Sequence, residues 1–118
     1  MRIRIAALLM VCVAGFAHGE AGGDPENGER IFGQCSGCHQ IGDDAVNRIG
    51  PQLNHIFDRA AGVAEGFRYS DGFKRAAAGG LTWDYETLDD FIENPRALVS
   101  KTRMSFRGLP EQQDRDDL

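Results

Sequence analysis

Lysine is scarce in this 118-residue chain: Lys74 and Lys101 are the only two, set against 18 acidic residues and a formal net charge of −5. Phosphate backbones are held by clustered Lys and Arg, so nucleic acid is excluded as a partner. There is no Gly-rich phosphate loop, no nucleophile elbow and no paired metal motif, and the carboxylates of Asp84, Asp89 and Asp90 read as a solvated helix face rather than a catalytic set. Internal repeats, low-complexity tracts and linkers are absent too, which leaves one domain. A composition of 42% hydrophobic and 26% charged residues excludes disordered and collagen-like classes.

No hydrophobic run is long enough to span a bilayer comfortably. The apolar stretch from Ile5 to Ala17 follows Arg2 and Arg4 and ends among small residues, Ala17, Gly19 and Ala21. That is the layout of an export signal, predicted to occupy residues 1–19 with cleavage after Gly19 or Ala21 and to leave residues 20–118 as the mature domain in the periplasm, without stable membrane insertion. An uncleaved anchor and a lipoprotein are the competing readings, although Cys12 follows Val11 where a lipoprotein signal would carry a small residue. Two basic residues and no acidic ones leave with residues 1–19, so the mature chain holds 11 basic against 18 acidic side chains, a balance near −7.

Sulfur and imidazole are equally sparse, and what remains is concentrated. After cleavage the cysteines are Cys35 and Cys38, the histidines His39 and His55, and the methionine Met104. Cys35-Ser36-Gly37-Cys38-His39 is the spacing of covalent haem attachment: two thiols can reach both vinyl groups of one haem, and the adjacent imidazole falls under the iron. A dithiol centre would want an alternating strand and helix pattern, and a zinc site two more ligands at matching spacing. For the other face of the iron the residues leave two candidates. Met104 would raise the reduction potential by thioether ligation but could equally be core, and His55 follows Gly50-Pro51 on a loop-like stretch.

Helix signals are clear in places. Asp24-Pro25 puts a capping side chain before a first-turn proline and predicts a helix to about Gln34. Ser70 caps a short helix through Phe73 and Ala76 to Ala78, stopped by Gly79-Gly80. Thr82 is predicted to open a third, with Tyr85, Leu88, Phe91 and Ile92 on one face and Pro95 making Asn94 its stop.

Several motifs in order make the chain similar to the class I c-type cytochromes, of the bacterial cytochrome c2 and mitochondrial type. They are Gly28 and Phe32, Cys35 to His39, Gly50-Pro51-Gln52-Leu53, Arg59, Gly62, Gly66 to Asp71, Leu81-Thr82-Trp83, Glu93-Asn94-Pro95 and Thr102 to Leu109. The resemblance implies an all-α fold wrapped round one covalent haem c, with His39 and Met104 as axial ligands. It implies that the Pro51 carbonyl accepts the His39 ring N–H, and that Arg59, Tyr69, Trp83 and Thr102 hold the haem propionates. It also implies a monomeric electron carrier rather than an enzyme, because both axial positions are taken by protein. A bc1-type complex would lie upstream, with a terminal oxidase, peroxidase or photosynthetic reaction centre downstream. Displacement of Met104 would instead give a peroxidase-like or gas-sensing protein.

The departures from that pattern are specific. Phe91 stands where many mitochondrial members have a tyrosine that hydrogen-bonds the methionine sulfur, and Ser100-Lys101 where Pro-Gly commonly precedes the ligand segment. The stretch from Asn94 to Pro110 holds Arg96, Lys101, Arg103 and Arg107 with no acid, a basic loop in an acidic protein suited to steering an acidic partner. The family closes with a long C-terminal helix docked at the equivalents of Gly28 and Phe32. Here Glu111 to Leu118 supplies only about two turns, so the closing helix is expected to be shortened and its contact poorly stabilised, with Leu118 left to cover Phe32.

Overall fold

The computed structural model describes residues 22–118; the segment read as an export signal, with its cleavage sites after Gly19 or Ala21, lies outside the described residues. Helix α1 runs Pro25–Phe32. The Asp24 carboxylate accepts from the backbone N–H of Glu26 and Asn27 at its start. It stops two residues short of the expected Gln34, because the chain tightens into overlapping turns in which Gln34 N donates to Ile31 O (2.9 Å) and Cys35 N to Phe32 O (2.8 Å). Helix α2 is Asp71–Ala78, capped by Ser70 as expected, and the chain leaves it through Gly80 at φ 90°.

Thr82 does not open the third helix. Thr82–Trp83 forms a two-residue strand, β2, antiparallel to β1 at Arg59–Ala60, in a register that pairs Arg59 with Trp83. Helix α3 therefore begins at Tyr85 and runs to Glu93, behind a reciprocal cap in which Thr87 N donates to the Asp84 carboxylate (2.8 Å) and Asp84 N to Thr87 Oγ1 (3.0 Å). Asn94 both ends α3 and caps the single-turn helix α4, Pro95–Leu98. A last helix, α5, spans Gln112–Asp117. The expected all-α architecture holds, with the β1–β2 bridge pinning the middle loop to the start of α3.

The core gathers Ala61, Trp83, Phe91 and Val99, with Ile56, Phe73, Leu81, Leu88, Leu98 and Met104 packed against it. An aromatic series runs through it: Phe67 meets Tyr69 edge-on (4.8 Å), Tyr69 stacks on Phe73 (5.1 Å), and Trp83 tilts against Phe91 (4.9 Å).

The first and last described helices, α1 and α5, close on each other. A β-carbon at Gly28 of α1 would run into the carbonyl of Asp117, so only glycine allows α5 to approach there. Leu118 is still 36% exposed and Phe32 half-buried. Polar groups fasten the contact instead: the Asp117 carboxylate accepts from Asp24 N (2.8 Å) and Asn27 Nδ2 (2.6 Å). The buried Arg115 guanidinium binds Asp89 (2.8 Å) and the carbonyls of Leu109 and Pro110. Among the described residues no helix is long and apolar enough to cross a membrane.

Candidate metal centre

The turns after α1 carry the cysteine motif. Cys38 N and His39 N both donate to Cys35 O, at 3.0 and 2.9 Å, so the five residues curl tightly with both thiols half-buried and unpaired. Burial first, and the neighbouring Cys38 second, push the Cys35 thiol above its ordinary value. A reactive dithiol needs the opposite shift, towards thiolate. Nor do three or more His, Cys, Asp or Glu side chains converge on one point among the described residues, as a zinc site would require.

His39 is held on two sides. Its Nδ1–H donates to the Pro51 carbonyl at 2.7 Å, and Gly50 is buried so tightly against the ring that a β-carbon there would strike the imidazole. Gly50 N donates to Cys38 O (2.9 Å), which ties this seat back to the cysteine turn. With Nδ1 engaged, Nε2 is the nitrogen left for a metal, and the bond to Pro51 fixes both tautomer and ring plane. His55, the rival ligand, is exposed on a left-handed turn (φ 51°).

Met104 belongs to a separate stretch, the loop after α4. It is half-buried against the Trp83, Phe91 and Val99 core, and its N–H donates to Thr102 Oγ1 at 3.2 Å.

The four residues expected around the propionates fall into one connected region with Met104. Arg59 is opposite Trp83 in the β1–β2 register, Trp83 and Met104 share the core cluster, and Tyr69 reaches Trp83 through Phe73. Arg59 donates from its terminal nitrogens to the carbonyls of Asn54 and Gln52, both at 3.0 Å, while its Nε is buried without a hydrogen-bond partner among the described residues. The Tyr69 hydroxyl accepts from Ala64 N (3.0 Å), and Thr102 Oγ1 accepts from Met104 N; both hydroxyl hydrogens stay available to an acceptor. An unpartnered buried guanidinium nitrogen and two free hydroxyl hydrogens are donors of the kind a carboxylate-bearing group needs; the two thiols suit attachment to haem vinyl groups, and imidazole and thioether suit its iron.

Gln52, Asn54 and Gly50 were not singled out by the sequence as site residues, although Gly50 and Gln52 flank Pro51 in a quoted motif. Gln52 is itself held by Asn47, whose Oδ1 accepts from Gln52 N (3.0 Å). These are contacts across a loop, and no local pattern announces them.

No family model matches the chain. Curated relatives do. Cytochrome c2 of Rhodoblastus acidophilus is 47% identical over 96 residues, covering 81% of this chain and 87% of that protein. Cytochrome c2 of Rhodomicrobium vannielii is 48% identical over 98 residues, covering 83% and 76%. Among solved structures, cytochrome c2 from Rhodospirillum centenum matches with a TM-score of 0.76 at 38% identity, over 80% of this chain and 92% of that one.

Proposed function

Because the chain belongs to the class I c-type cytochromes, electron carriers with one covalent haem c, we propose that it shuttles single electrons in the periplasm through a His39/Met104-ligated iron. The haem supplies a one-electron Fe(III)/Fe(II) couple. Cys35 and Cys38 form its thioether links, Pro51 orients His39, and Arg59, Tyr69, Trp83 and Thr102 hold the propionates. The observation that carries this reading is the 2.7 Å Nδ1–Pro51 bond above the cysteine turn, which leaves Nε2 as the ligand nitrogen. Were His39 and Met104 both to hold the iron, no position would be open to substrate, which supports a carrier rather than an enzyme.

Two measurements test the assignment in the purified holoprotein. Haem should resist extraction into acidic organic solvent, and Met104→Ala should abolish the sulfur-to-iron charge-transfer band; extractable haem or an unchanged band would overturn the respective claim.

The partners under this reading are a bc1-type complex as donor and an oxidase, peroxidase or reaction centre as acceptor. Arg96 on α4 and Lys101, Arg103 and Arg107 on the loop that carries Met104 are all exposed, on a chain whose net charge is negative. That asymmetry orients the molecule towards an acidic docking face before contact. Reversing Arg96 and Arg107 to Glu is expected to slow second-order electron transfer with such a partner roughly tenfold at low ionic strength, the difference shrinking as salt screens it. A salt-independent rate, equal in both proteins, would remove the steering account.

A further inference from the structure

Lys101 lies three residues before Met104 with φ 60°, in the left-handed region where a β-carbon crowds the following carbonyl. Among the described residues two other non-glycine residues share that region, His55 and Asp58, and both are of types enriched there. Lysine has no such compensation, since its side chain cannot hydrogen-bond back to its own turn as Asn or Asp does.

The turn is fixed from several directions. Thr102 N donates to Val99 O (3.2 Å), and Val99, only 1% exposed, is set in the core and tied to α4 by its own N–H to Pro95 O (2.9 Å). Helix α2 presses from below: Gly72 is buried, and a β-carbon there would strike Ser100 O. On the other side Thr102 Oγ1 receives Met104 N, so the conformation of Lys101 passes through one residue to the backbone of Met104. Between the Ser100–Gly72 approach and the Thr102–Met104 bond, the Lys101 backbone is held in the left-handed region.

We propose that Lys101 is a positioning residue whose strained backbone sets how readily Met104 is displaced. The inference rests on the reading of Met104 as axial ligand. The strain is present while the ligand segment is docked and is relieved when it detaches. Lysine at this position therefore weakens Met104's hold compared with glycine, which accepts φ > 0 at no steric cost.

Imidazole is the probe, titrated into the ferric holoprotein and followed by the loss of the sulfur-to-iron band. Lys101→Gly is expected to weaken imidazole binding about fivefold, the equivalent of about 1 kcal/mol. Lys101→Asn, a residue tolerated in the left-handed region, should fall between Gly and the native chain. Lys101→Gln, which keeps the strain and removes the charge, should match the native chain. Equal imidazole affinity in the native, Gly and Asn proteins would overturn the proposal, even if the Gly variant unfolds at higher denaturant, because strain common to both ligation states stabilises neither. A Gln variant as tight-holding as the Gly variant would assign the effect to charge and overturn it equally. Failure of the underlying reading looks different: the native protein would lack the band, and imidazole would bind native and Met104→Ala proteins alike.

Discussion

Arg59 joins two jobs in one side chain. Its terminal nitrogens fasten the 52–54 loop by two 3.0 Å bonds to carbonyls, while Nε stays buried and unpartnered. A buried donor without an acceptor costs about 1–3 kcal/mol; under the function proposed above, a haem propionate would be the acceptor that completes the pair. Arg59→Gln in the holoprotein is expected to lower unfolding stability by about 1–3 kcal/mol and also to lower the reduction potential, because a positive charge that opposes oxidation of the iron is gone. Arg59→Lys should keep most of the potential while losing the fork of bonds. Lost stability with an unmoved potential in Arg59→Gln would leave Arg59 a loop fastener only. The sequence reaches Cys35, Cys38 and His39 because the chemistry is written in five adjacent residues. It does not reach Arg59's anchors or the Gly50 seat, since those depend on how a loop folds back rather than on spacing.

Helices were legible where a cap and a stop stand in the sequence, and α2 starts and ends where Ser70 and Gly79-Gly80 put it. The start of α3 was not, because a two-residue strand leaves no periodic trace for any pattern to detect. Thr87 is the side chain that reconciles strand and helix. Its hydroxyl donates to Thr82 O in β2 (2.6 Å) and accepts from Asp84 N (3.0 Å), so one group ends the bridge and begins the helix. Thr87→Val preserves shape and removes both bonds, with an expected loss of about 1 kcal/mol, read as a lower denaturant midpoint with faster amide exchange at Asp58, whose N–H bonds to Trp83 O in the neighbouring strand pair. Unchanged exchange at Asp58 would mean that the bridge stands without the cap.

Across the described fold, carboxylates fasten the contact between the first helix, α1, and the last, α5. Asp117 is held below its ordinary value of 3.8 chiefly by the Asp24 backbone N–H, then by Asn27 and Gln113. Asp116 is lowered first by the Tyr85 hydroxyl and then by Gln112, and Asp84 at the head of α3 by the Thr87 backbone N–H. Each carboxyl thus binds its proton less tightly folded than unfolded. Above the ordinary carboxyl value both states are ionised and the stabilisation is complete; as pH falls below 3.8 the unfolded chain takes up protons first, and stability drains away until the folded carboxyls protonate too. Tyr85 works in the opposite sense. Its phenol is raised above 10.0, mainly by its bond to Asp116, so its contribution stands below that pH and is lost as pH rises through the folded value. Stability is therefore expected to stay level through the neutral range and to fall at the acid end, with α5 detaching from α1 as Asp117 protonates. Asp117→Asn isolates the largest share of that contact. The variant should be less stable than the native protein at neutral pH, and its denaturant midpoint should lose less on acidification, so that the two curves converge at the acid end. Curves that stay parallel throughout would show that the link between α1 and α5 does not depend on the charge of Asp117.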